Sequence, residues 1–284
     1  MILVVGARGQ TGRAAVHHLV ARGVPVRAVT RDPGRAGELA GAEIYVGDSS
    51  RPDSLEQAYD GVTKLYLVPP TLPGWDAAQT GIIEQARRAG VRHVVRISAL
   101  GTQPDAASMS LRFHWKGERE LEQSGLTFTH IRANSFFQNT LFDAPTIRSE
   151  HVIYSCVGTL RFAKVDTRDV GEVVAAVLTS SGHENRGYTL TGSESLSYED
   201  LADIMSRVLE RDIRYVDLSA ADYARLLVGE GLPQWLADEF AAIYGLGFAD
   251  GSVVEDVTDT IHQILGRPPR TFQGFVEDHR ADFL

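Results

Sequence analysis

The chain has 284 residues, and its apolar fraction of 43% and charged fraction of 23% are typical of an ordinary globular protein. Its net charge of −9 at pH 7 disfavours general binding to nucleic acid or to anionic membranes, because both need a basic protein surface. No apolar run approaches the roughly 18 residues of a membrane-spanning helix, so we expect neither a membrane nor a nucleic acid as partner.

Cys156 is the single cysteine of the chain. One thiol cannot form an internal disulfide or a multi-cysteine metal site, and this count fits a reducing compartment. The run Ile2–Val5 is typical of a strand rather than of the charged start of a signal peptide, so we expect a cytoplasmic protein. We interpret Cys156 itself as a small, half-buried apolar side chain.

Short apolar runs alternate with amphipathic stretches over the first half of the chain. The strand-like runs are Ile2–Val5, Val26–Thr30, Ile44–Val46, Leu65–Val68, Val94–Ile97 and Phe128–Ile131. Between them lie helical patterns, such as the one that contains Ile82, Ile83 and Ala86 and ends at Gly90. Such an order predicts right-handed βαβ units around a buried parallel sheet. The predicted fold class is therefore α/β, with a Rossmann-type doubly wound parallel sheet.

Three glycines follow the first predicted strand at a G-x-x-G-x-x-G spacing, one residue different from the simpler G-x-G-x-x-G fingerprint. Glycine permits a positive φ and lets the backbone approach a pyrophosphate closely. The helix that follows offers unpaired N–H groups to the same anion. This position predicts a dinucleotide site rather than a merely structural turn. The residues predicted to form it here are Gly6, Arg8, Gly9, Gln10, Thr11 and Gly12.

The end of the second predicted strand bears on the choice of cofactor. NAD-specific folds usually place a carboxylate there for the ribose 2′-OH, whereas a 2′-phosphate needs a cation. Arg31 stands at this position and can pair with phosphate through two hydrogen bonds, with Arg8 or Arg35 in support. Asp32 complicates the prediction, since it could pair with Arg31 or accept from a 2′-OH. We predict NADP(H) over NAD(H), the alternative being an exposed arginine in a turn.

Two further strand ends carry candidate cofactor residues. Asp48 follows the third strand and could accept from an adenine amino group, the alternative being a plain Asx turn. The segment Val68-Pro69-Pro70 follows the fourth strand and would place a rigid wall, poor in hydrogen-bond donors, over the cofactor. A stiff loop without contact to a ligand is the alternative for this segment.

The order of elements becomes less regular after residue 150. Capping boxes are predicted at Ser197–Asp200 and Ser219–Asp222, and strands at Gly187–Thr191 and Ile213–Val216. A mostly helical stretch follows over 233–265, and a helix breaker at Arg267–Pro269. We therefore predict a dinucleotide-binding domain over residues 1–150. Residues 151–284 are predicted to form mostly a smaller α+β lobe for the substrate, with some segments returning to the first domain.

The chain resembles the NmrA-like group of atypical short-chain dehydrogenases/reductases, and especially bacterial triphenylmethane-dye reductases, azoreductases and quinone reductases. The motifs that carry the resemblance are Gly6–Gly12, Arg31–Pro33, Gly47-Asp48, Val91–Ser98, His114–Glu118, Ser124–Thr127, Asn134–Asn139, Val165–Asp169 and Gly266–Phe272. The resemblance implies a Rossmann domain, a small C-terminal substrate lobe and a cleft between them. It also implies binding of a nicotinamide dinucleotide.

The resemblance further implies a set of catalytic positions. Reductases of the wider superfamily use a Tyr-x-x-x-Lys pair, in which the lysine lowers the pKa of the tyrosine that exchanges a proton with the substrate. Lys116 fills the lysine position, but Arg112 stands where the tyrosine would be. Ser98 matches the superfamily's serine. The usual phenolic acid is thus missing, and Lys116 is expected to bond a ribose hydroxyl or the substrate.

His114 is the preferred candidate for the proton donor, because an unperturbed imidazole has a pKa of about 6.5. The alternative is a helix-surface or half-buried histidine that pairs with Glu118 one turn later. Gln138 and Asn139 could reach the nicotinamide or the substrate, or they could cap their own loop.

The remaining polar and aromatic residues give weaker signals. The adjacent His17 and His18 point in different directions on a helix, so we predict no metal site. Asp166 and Asp169 precede an apolar helix and indicate a cap rather than a carboxylate pair. Five aromatic residues of the C-terminal region either line a substrate pocket or form an ordinary core: Tyr223, Trp235, Phe240, Tyr244 and Phe248.

The sequence favours an NAD(P)H-dependent reductase that transfers hydride to a small conjugated or aromatic acceptor, such as a quinone, dye, imine or enone. Such acceptors take hydride without a strong enzymic acid, so the missing tyrosine is tolerable. The alternative is a non-catalytic NADP(H)-binding redox sensor that acts through a protein partner. An isomerase or dehydratase is less compatible with the missing phenol. The sequence leaves a homodimer open.

Overall fold

A computed structural model describes residues 1–69, 74–245 and 252–284. Within these ranges it has nine β-strands: β1 (Ile2–Val5), β2 (Val26–Thr30), β3 (Glu43–Val46), β4 (Lys64–Leu67), β5 (His93–Ala99), β6 (Phe128–Ala133), β7 (Val152–Ser155), β8 (Arg186–Leu190) and β9 (Arg214–Asp217). Seven of the strands form one sheet in the order β3-β2-β1-β4-β5-β6-β8, and all of its neighbours run parallel. The predicted doubly wound α/β fold is confirmed.

The same ranges contain twelve α-helices: α1 (Gln10–Ala21), α2 (Trp75–Arg88), α3 (Met109–Gln123), α4 (Ala144–Glu150), α5 (Thr167–Thr179), α6 (Tyr198–Leu209), α7 (Ala220–Gly229), α8 (Gln234–Gly245), α9 (Ser252–Glu255), α10 (Thr260–Leu265), α11 (Phe272–Asp278) and α12 (Arg280–Phe283). Short 3₁₀ helices cover Pro33–Leu39, Pro52–Tyr59 and Phe137–Asp143. None of the helices described is both long and apolar enough to cross a bilayer.

The sheet reverses its direction of growth between β1 and β4. Val4 of β1 lies between Ala28 of β2 and Tyr66 of β4. The strands β2 and β3 thus lie on one side of β1, and β4 and the later strands lie on the other. The carboxyl ends of these strands diverge at such a switch point and leave a crevice, where ligands of doubly wound folds bind. The glycine-rich segment after β1 therefore opens directly into the crevice.

Helices cover both faces of the sheet. On one face α1 packs against α5 so closely that a Cβ on Gly171 would overlap the backbone of Ala14 and Ala15. On the other face, apolar residues of α2, such as Ile82 and Ile83, cover Leu3 and neighbouring strand residues. This double coverage explains why the strands are almost continuously apolar. It also fixes the axis of α1 relative to the sheet.

A separate apolar core lies in the C-terminal half, where α4, α6, α7, α8, α11 and α12 pack around the small parallel sheet β7–β9. Ser197 forms both bonds of the predicted capping box at the start of α6, whereas Ser219 caps α7 through its side chain without the reciprocal bond of a capping box. Cys156 is buried in this core, and burial raises the pKa of its thiol to about 11. The thiol is thus a packing group, in agreement with its interpretation from the sequence.

Candidate functional site

The loop after β1 needs glycine for two different reasons. Gly6 has φ +80°, and a Cβ there would overlap the carbonyl oxygen of Val68, which follows β4. Gly12 has ordinary helical geometry, but its Cβ would overlap the carbonyl oxygen of Gly6. The N–H of Gly9 donates to that same oxygen at 3.0 Å. The loop therefore folds tightly against the first turn of α1 and leaves no room for side chains.

The N-terminus of α1 is chemically bare. Its N-cap residue is Gly9, no side chain caps it, and its first turn contains no acidic residue. Gln10 and Thr11, the first two residues of the helix, line the large cavity described below. Unpaired N–H groups and the positive end of the helix dipole are suited to an anion such as a pyrophosphate. The loop and the helix start thus fit the predicted dinucleotide.

Cationic side chains surround the end of β2. Arg31 is exposed, and among the described residues it has no ion-pair partner within 4.0 Å. The carboxylate of Asp32 accepts from the N–H of Gly34 at 2.9 Å and lies 3.8 Å from the guanidinium of Arg8. Arg35 is paired with Glu38. Asp32 is therefore engaged in its own turn, while Arg31 remains available to an anion.

Asp48 forms the Asx turn that the sequence left as an alternative. Its Oδ1 accepts from both the N–H and the hydroxyl of Ser50, and these bonds lower the pKa of the carboxyl. Val68 and Pro69 line the large cavity next to the glycine loop. Pro70, the third member of the predicted wall, lies outside the described residues.

A cavity of about 440 Å³ extends from the start of α1 to α8. Its lining comes from the carboxyl ends of β4, β5 and β6, from the first turns of α1 and α3, and from the C-terminal half. The residues are Gln10, Thr11, Val68, Pro69, Ile97–Leu100, Ser110, Leu111, His114, Ala133–Phe136, Asn139, Phe142, Leu236, Glu239, Phe240, Ile243, Tyr244 and Val254. The lining is mostly apolar with a few convergent polar groups, which is typical of a site for a small organic ligand.

His114 and Ser98 both face this cavity. Burial and the neighbouring guanidinium of Arg96 lower the pKa of His114 to about 3, so the expectation of an unperturbed imidazole is wrong. Nη1 of Arg96 lies 3.4 Å from Nδ1 of His114. Because a guanidinium only donates, Nδ1 must accept and Nε2 must carry the hydrogen. At neutral pH His114 is therefore a neutral hydrogen-bond donor rather than a source of protons.

Lys116 is not brought together with the other predicted catalytic residues. Its side chain is 60% exposed and pairs with Asp76 of α2 on the outer surface of the domain. Arg112 likewise turns away and donates to the carbonyl oxygens of Ala106 and Ala107. Two residues along an α-helix correspond to a rotation of about 200°, so positions 112 and 116 lie opposite His114. The expected contact of Lys116 with cofactor or substrate is therefore not supported by the structure.

The two amides after β6 have different roles. Gln138 bonds to the carboxylate of Asp166 at 2.8 Å and to the N–H of Thr167 at 3.0 Å, so it holds its own loop to the N-cap of α5. Asn139 lines the cavity, and its amide donates to the hydroxyl of Tyr244 at 3.5 Å. Of the two amides, Asn139 is the one placed to meet a ligand.

The aromatic residues of α8 close the far side of the cavity. Phe240 and Tyr244 lie one turn apart with nearly parallel rings, and both line the cavity. Glu239 anchors this helix to the first domain, because its buried carboxylate accepts from the N–H groups of Met109 and Ser110 at the start of α3. The sequence did not predict this cap, since the residues are about 130 positions apart. Phe248 lies outside the described residues.

Buried charges lie beneath the polar edge of the cavity. Glu118 is almost fully buried and accepts two hydrogen bonds from Arg132, at 2.9 and 2.6 Å. Ligand atoms of Glu118, Glu122 and His130 lie within 4.8 Å of one another, in the arrangement of a metal site. However, Arg119 and Arg132 already place guanidinium groups on both carboxylates. The group is therefore an ion-pair network in the described structure.

A second cavity, of about 490 Å³, adjoins the first and shares Asn139, Phe142, Leu236, Phe240 and Tyr244 with it. Asp143 lines this second cavity. Burial raises the pKa of Asp143 to about 7, an effect that Lys164 opposes and Glu230 increases. The folded protein therefore holds a proton on Asp143 that the unfolded chain releases at a lower pH.

Replacing Asp143 with asparagine is expected to stabilise the protein at pH 8 and to change little at pH 4. Because the pKa of Asp143 is higher in the folded than in the unfolded chain, its carboxyl destabilises the fold increasingly as pH rises from about 4 to about 7. The largest loss of folding free energy for a pKa raised from about 4 to about 7 is about 4 kcal/mol. Urea unfolding at both pH values measures this difference. The exposed Asp203→Asn is the control, and an equal effect of Asp143→Asn at both pH values would contradict the raised pKa.

The switch-point crevice, the glycine loop and the continuous cavity together define a dinucleotide-binding α/β protein with its own ligand pocket. The chain belongs to the NmrA-like family, whose family model matches residues 1–251. The family predicted from the sequence is thereby confirmed.

Three relatives place the chain more closely. It is 33% identical over 285 residues to the NAD(P)H azoreductase of Xenophilus azovorans, which covers 100% of this chain and 99% of the relative. It is 30% identical over 277 residues to quinone oxidoreductase 2 of Escherichia coli, covering 95% and 96% of the two chains. The crystal structure of that oxidoreductase with NADPH superposes with a TM-score of 0.87, at 28% identity and 98% and 99% coverage.

The triphenylmethane reductase of Citrobacter sp., solved with NADP(H), is similar as well. It has a TM-score of 0.86 at 25% identity, and the match covers 98% of this chain and 99% of the reductase. The names of these relatives agree with the class of enzyme predicted from the sequence, an NAD(P)H-dependent oxidoreductase.

Proposed function

We propose that this protein is an NADPH-dependent reductase of a small, flat, conjugated acceptor such as a quinone, a dye, an imine or an enone. The observation that carries the proposal is the continuity of the large cavity. Gln10 and Thr11 at the predicted dinucleotide site and Phe240 and Tyr244 at the aromatic wall line the same cavity. A cofactor held at one end would therefore meet an acceptor held at the other.

The residues that would hold the cofactor are those of the glycine-rich loop after β1 and of the neighbouring end of β2. Gly6 and Gly12 let the loop fold tightly against the start of α1, whose uncapped N–H groups would bind the pyrophosphate. Arg31 and Arg8 offer guanidinium groups to a 2′-phosphate. When it is bound, the reduced nicotinamide supplies a hydride.

The other residues of the cavity would orient the acceptor. The apolar lining from Ile97, Leu100 and Phe240 excludes water and favours a flat apolar molecule. The Nε2–H group of His114 can donate to an oxygen or nitrogen of the acceptor without releasing a proton. Because this imidazole stays neutral at pH 7, it donates a hydrogen bond without giving up a proton. Another group therefore has to supply the proton.

Replacing Arg31 with alanine is expected to weaken NADPH binding about 10- to 100-fold, because a hydrogen bond to a charged group contributes about 1.5–3 kcal/mol. NADH has no 2′-phosphate, and its affinity is expected to change less than about threefold. Calorimetric titration with both cofactors measures the difference. Arg22→Ala, at the far end of α1, is the matched control, and equal losses for both cofactors would remove the argument for 2′-phosphate recognition.

The activity itself is tested with the purified protein. Calorimetry with NADPH, NADP⁺, NADH and NAD⁺ gives the cofactor preference, and the absorbance of reduced nicotinamide then reports turnover with a panel of quinones, azo dyes, triarylmethyl dyes and imines. Tight NADPH binding with acceptor-dependent oxidation is the expected result. Tight binding that distinguishes reduced from oxidised cofactor, without turnover on any acceptor, would instead favour a redox sensor.

A further inference from the structure

A buried tyrosine of the C-terminal half lines the cavity, whereas Arg112, at the superfamily's tyrosine position, does not. Tyr244 lies near the end of α8, is buried, and lines both the first and the second cavity. It shares the first cavity with Gln10, Thr11, Ser98 and His114. Its phenol is therefore placed on the side where an acceptor would lie, opposite the start of α1.

The surroundings of Tyr244 leave its hydrogen available. The amide of Asn139 donates to the phenolic oxygen at 3.5 Å, so it occupies an acceptor position of that oxygen. The hydroxyl of Ser135 lies 3.4 Å away, and it too lines the cavity. A phenol has one hydrogen to donate, and here it can point to Ser135, to the hydroxyl of Tyr198 or to a ligand in the cavity.

A buried cation lies behind this phenol. Lys164 is 3% exposed, its ammonium donates to the hydroxyl of Tyr198 at 3.1 Å, and it lies 4.6 Å from the centre of the Tyr198 ring. Among the described residues no carboxylate lies within 4.0 Å of its nitrogen. Burial raises the pKa of Tyr198, and the hydroxyl of Tyr244 partly opposes this rise. The two phenols and the ammonium thus form one buried polar group.

This arrangement has the chemical parts of a tyrosine–lysine pair. Burial and the neighbouring Tyr198 raise the pKa of Tyr244, while the charge of Lys164 and the bonds from Ser135 and Asn139 lower it. A phenol that stays protonated at neutral pH, with a cation nearby to stabilise its anion, is suited to give a proton to a basic anion such as a hydroquinone monoanion. Neither the neutral His114 nor the outward-facing Lys116 combines these properties.

We propose that Tyr244 is the proton donor of the reduction, with Lys164 as the positioning residue that stabilises its anion and Tyr198 as the residue that holds the ammonium of Lys164. The proposal rests on the reductase function proposed above. A quinone that receives a hydride with its two electrons from the reduced nicotinamide becomes a hydroquinone monoanion. The O–H bond of Tyr244 breaks, its proton forms a new O–H bond on that monoanion, and the tyrosinate recovers a proton from water before the next turnover.

The central test is Tyr244→Phe, with Tyr223→Phe as the matched control. Tyr223 is also buried and packs edge-on against Tyr244, but it lines only the second cavity. Turnover of 1,4-naphthoquinone by Tyr244→Phe is expected to fall about 100-fold, the lower range for loss of a general acid, while Tyr223→Phe stays within about threefold. NADPH affinity is expected to be unchanged in both. Quinone turnover at the wild-type rate in Tyr244→Phe would overturn the proposal.

A second acceptor separates proton donation from packing. A triarylmethyl cation such as malachite green becomes neutral when it takes a hydride, so its reduction needs no proton. Tyr244→Phe is expected to leave its reduction within about threefold of wild type, whereas an equal loss with dye and quinone would reduce Tyr244 to a packing residue.

A binding measurement tests the phenol without turnover. 4-Nitrophenolate in the cavity is expected to accept a hydrogen bond from Tyr244, so its absorption should shift on binding to the wild type and to Tyr223→Phe. The shift should disappear with Tyr244→Phe and become smaller with Lys164→Met. An identical spectrum with wild type and Tyr244→Phe would overturn the proposal. If the wild type oxidised no NADPH with any acceptor, the reductase function would fail, and this spectrum would still show whether Tyr244 donates into the cavity.

Discussion

Replacing Gly12 with alanine is expected to weaken NADPH binding at least 100-fold while most of the fold is retained. Gly12 lies in the first turn of α1 with ordinary helical geometry, so alanine has no conformational penalty there. The obstacle is space, because the new Cβ would overlap the carbonyl oxygen of Gly6 and press on Ala7. The loop must move away from the helix start, and a displacement of about 1 Å is enough to spoil a preorganised site.

Gly229→Ala provides the control for this substitution. Gly229 is also within a helix, α7, but a Cβ there would meet no atom within 4 Å. Alanine should therefore stabilise this helix slightly, by about 0.5–1 kcal/mol, and leave NADPH affinity unchanged. Calorimetric titration and thermal unfolding of both variants measure the two effects. Wild-type NADPH affinity in Gly12→Ala would mean that the glycine loop does not hold the cofactor.

The parts of the site that were predictable from the sequence are those that depend on local geometry. Gly6 needs a positive φ and Gly12 needs space, and both needs arise between residues that β1 and α1 bring together within a few positions. The strands were predictable for a related reason, since a parallel sheet covered on both faces demands nearly continuous apolar runs. β7, by contrast, was not among the predicted strands.

The catalytic side of the cavity was less predictable, because it depends on which way a helix faces. The spacing of Arg112 and Lys116 matches the superfamily pattern, but the phase of α3 turns both outward. His114 faces inward and loses its expected pKa through burial beside Arg96. Tyr244 lies about 130 residues further along the chain than His114. Its helix is held near the cavity by Glu239, which accepts hydrogen bonds from the start of α3. No periodicity within a single segment carries such information.

For two polar residues with open alternatives, the structure provides a nearby partner. Asp48 had the choice between an adenine and its own turn, and Ser50 supplies both donors for the turn. Gln138 had the choice between a ligand and its loop, and Asp166 with Thr167 saturates its amide. In each case a nearby partner satisfies the polar group, which is the cheaper solution for a half-buried side chain.

The second large effect is expected from Glu118→Gln, which should destabilise the protein by about 3–5 kcal/mol. Glu118 is 1% exposed, and it neutralises Arg132 and faces the fully buried Arg96. Glutamine keeps the shape of the side chain but removes its charge, so the buried guanidinium of Arg96 loses a nearby negative charge and the partly exposed Arg132 loses its ion-pair partner. Urea unfolding at pH 7 measures the loss. Glu84→Gln removes an exposed ion pair with Arg88 and should cost less than about 1 kcal/mol.

The pH dependence distinguishes lost charge from lost packing at Glu118. Burial alone would raise the pKa of this carboxyl, but the hydrogen bonds from Arg132 and Ser98 and the neighbouring positive charges together outweigh burial and lower it to about 2. A carboxyl with a lowered folded pKa contributes stability that is complete above its ordinary value of about 4.5 and is lost as pH falls toward about 2. The deficit of Glu118→Gln should therefore be large at pH 7 and shrink on acidification below about pH 4.5. If the stability lost by Glu118→Gln stayed constant down to pH 3, the glutamine would destabilise the protein through altered packing. The charge of Glu118 would then not stabilise the region that holds Ser98 and His114.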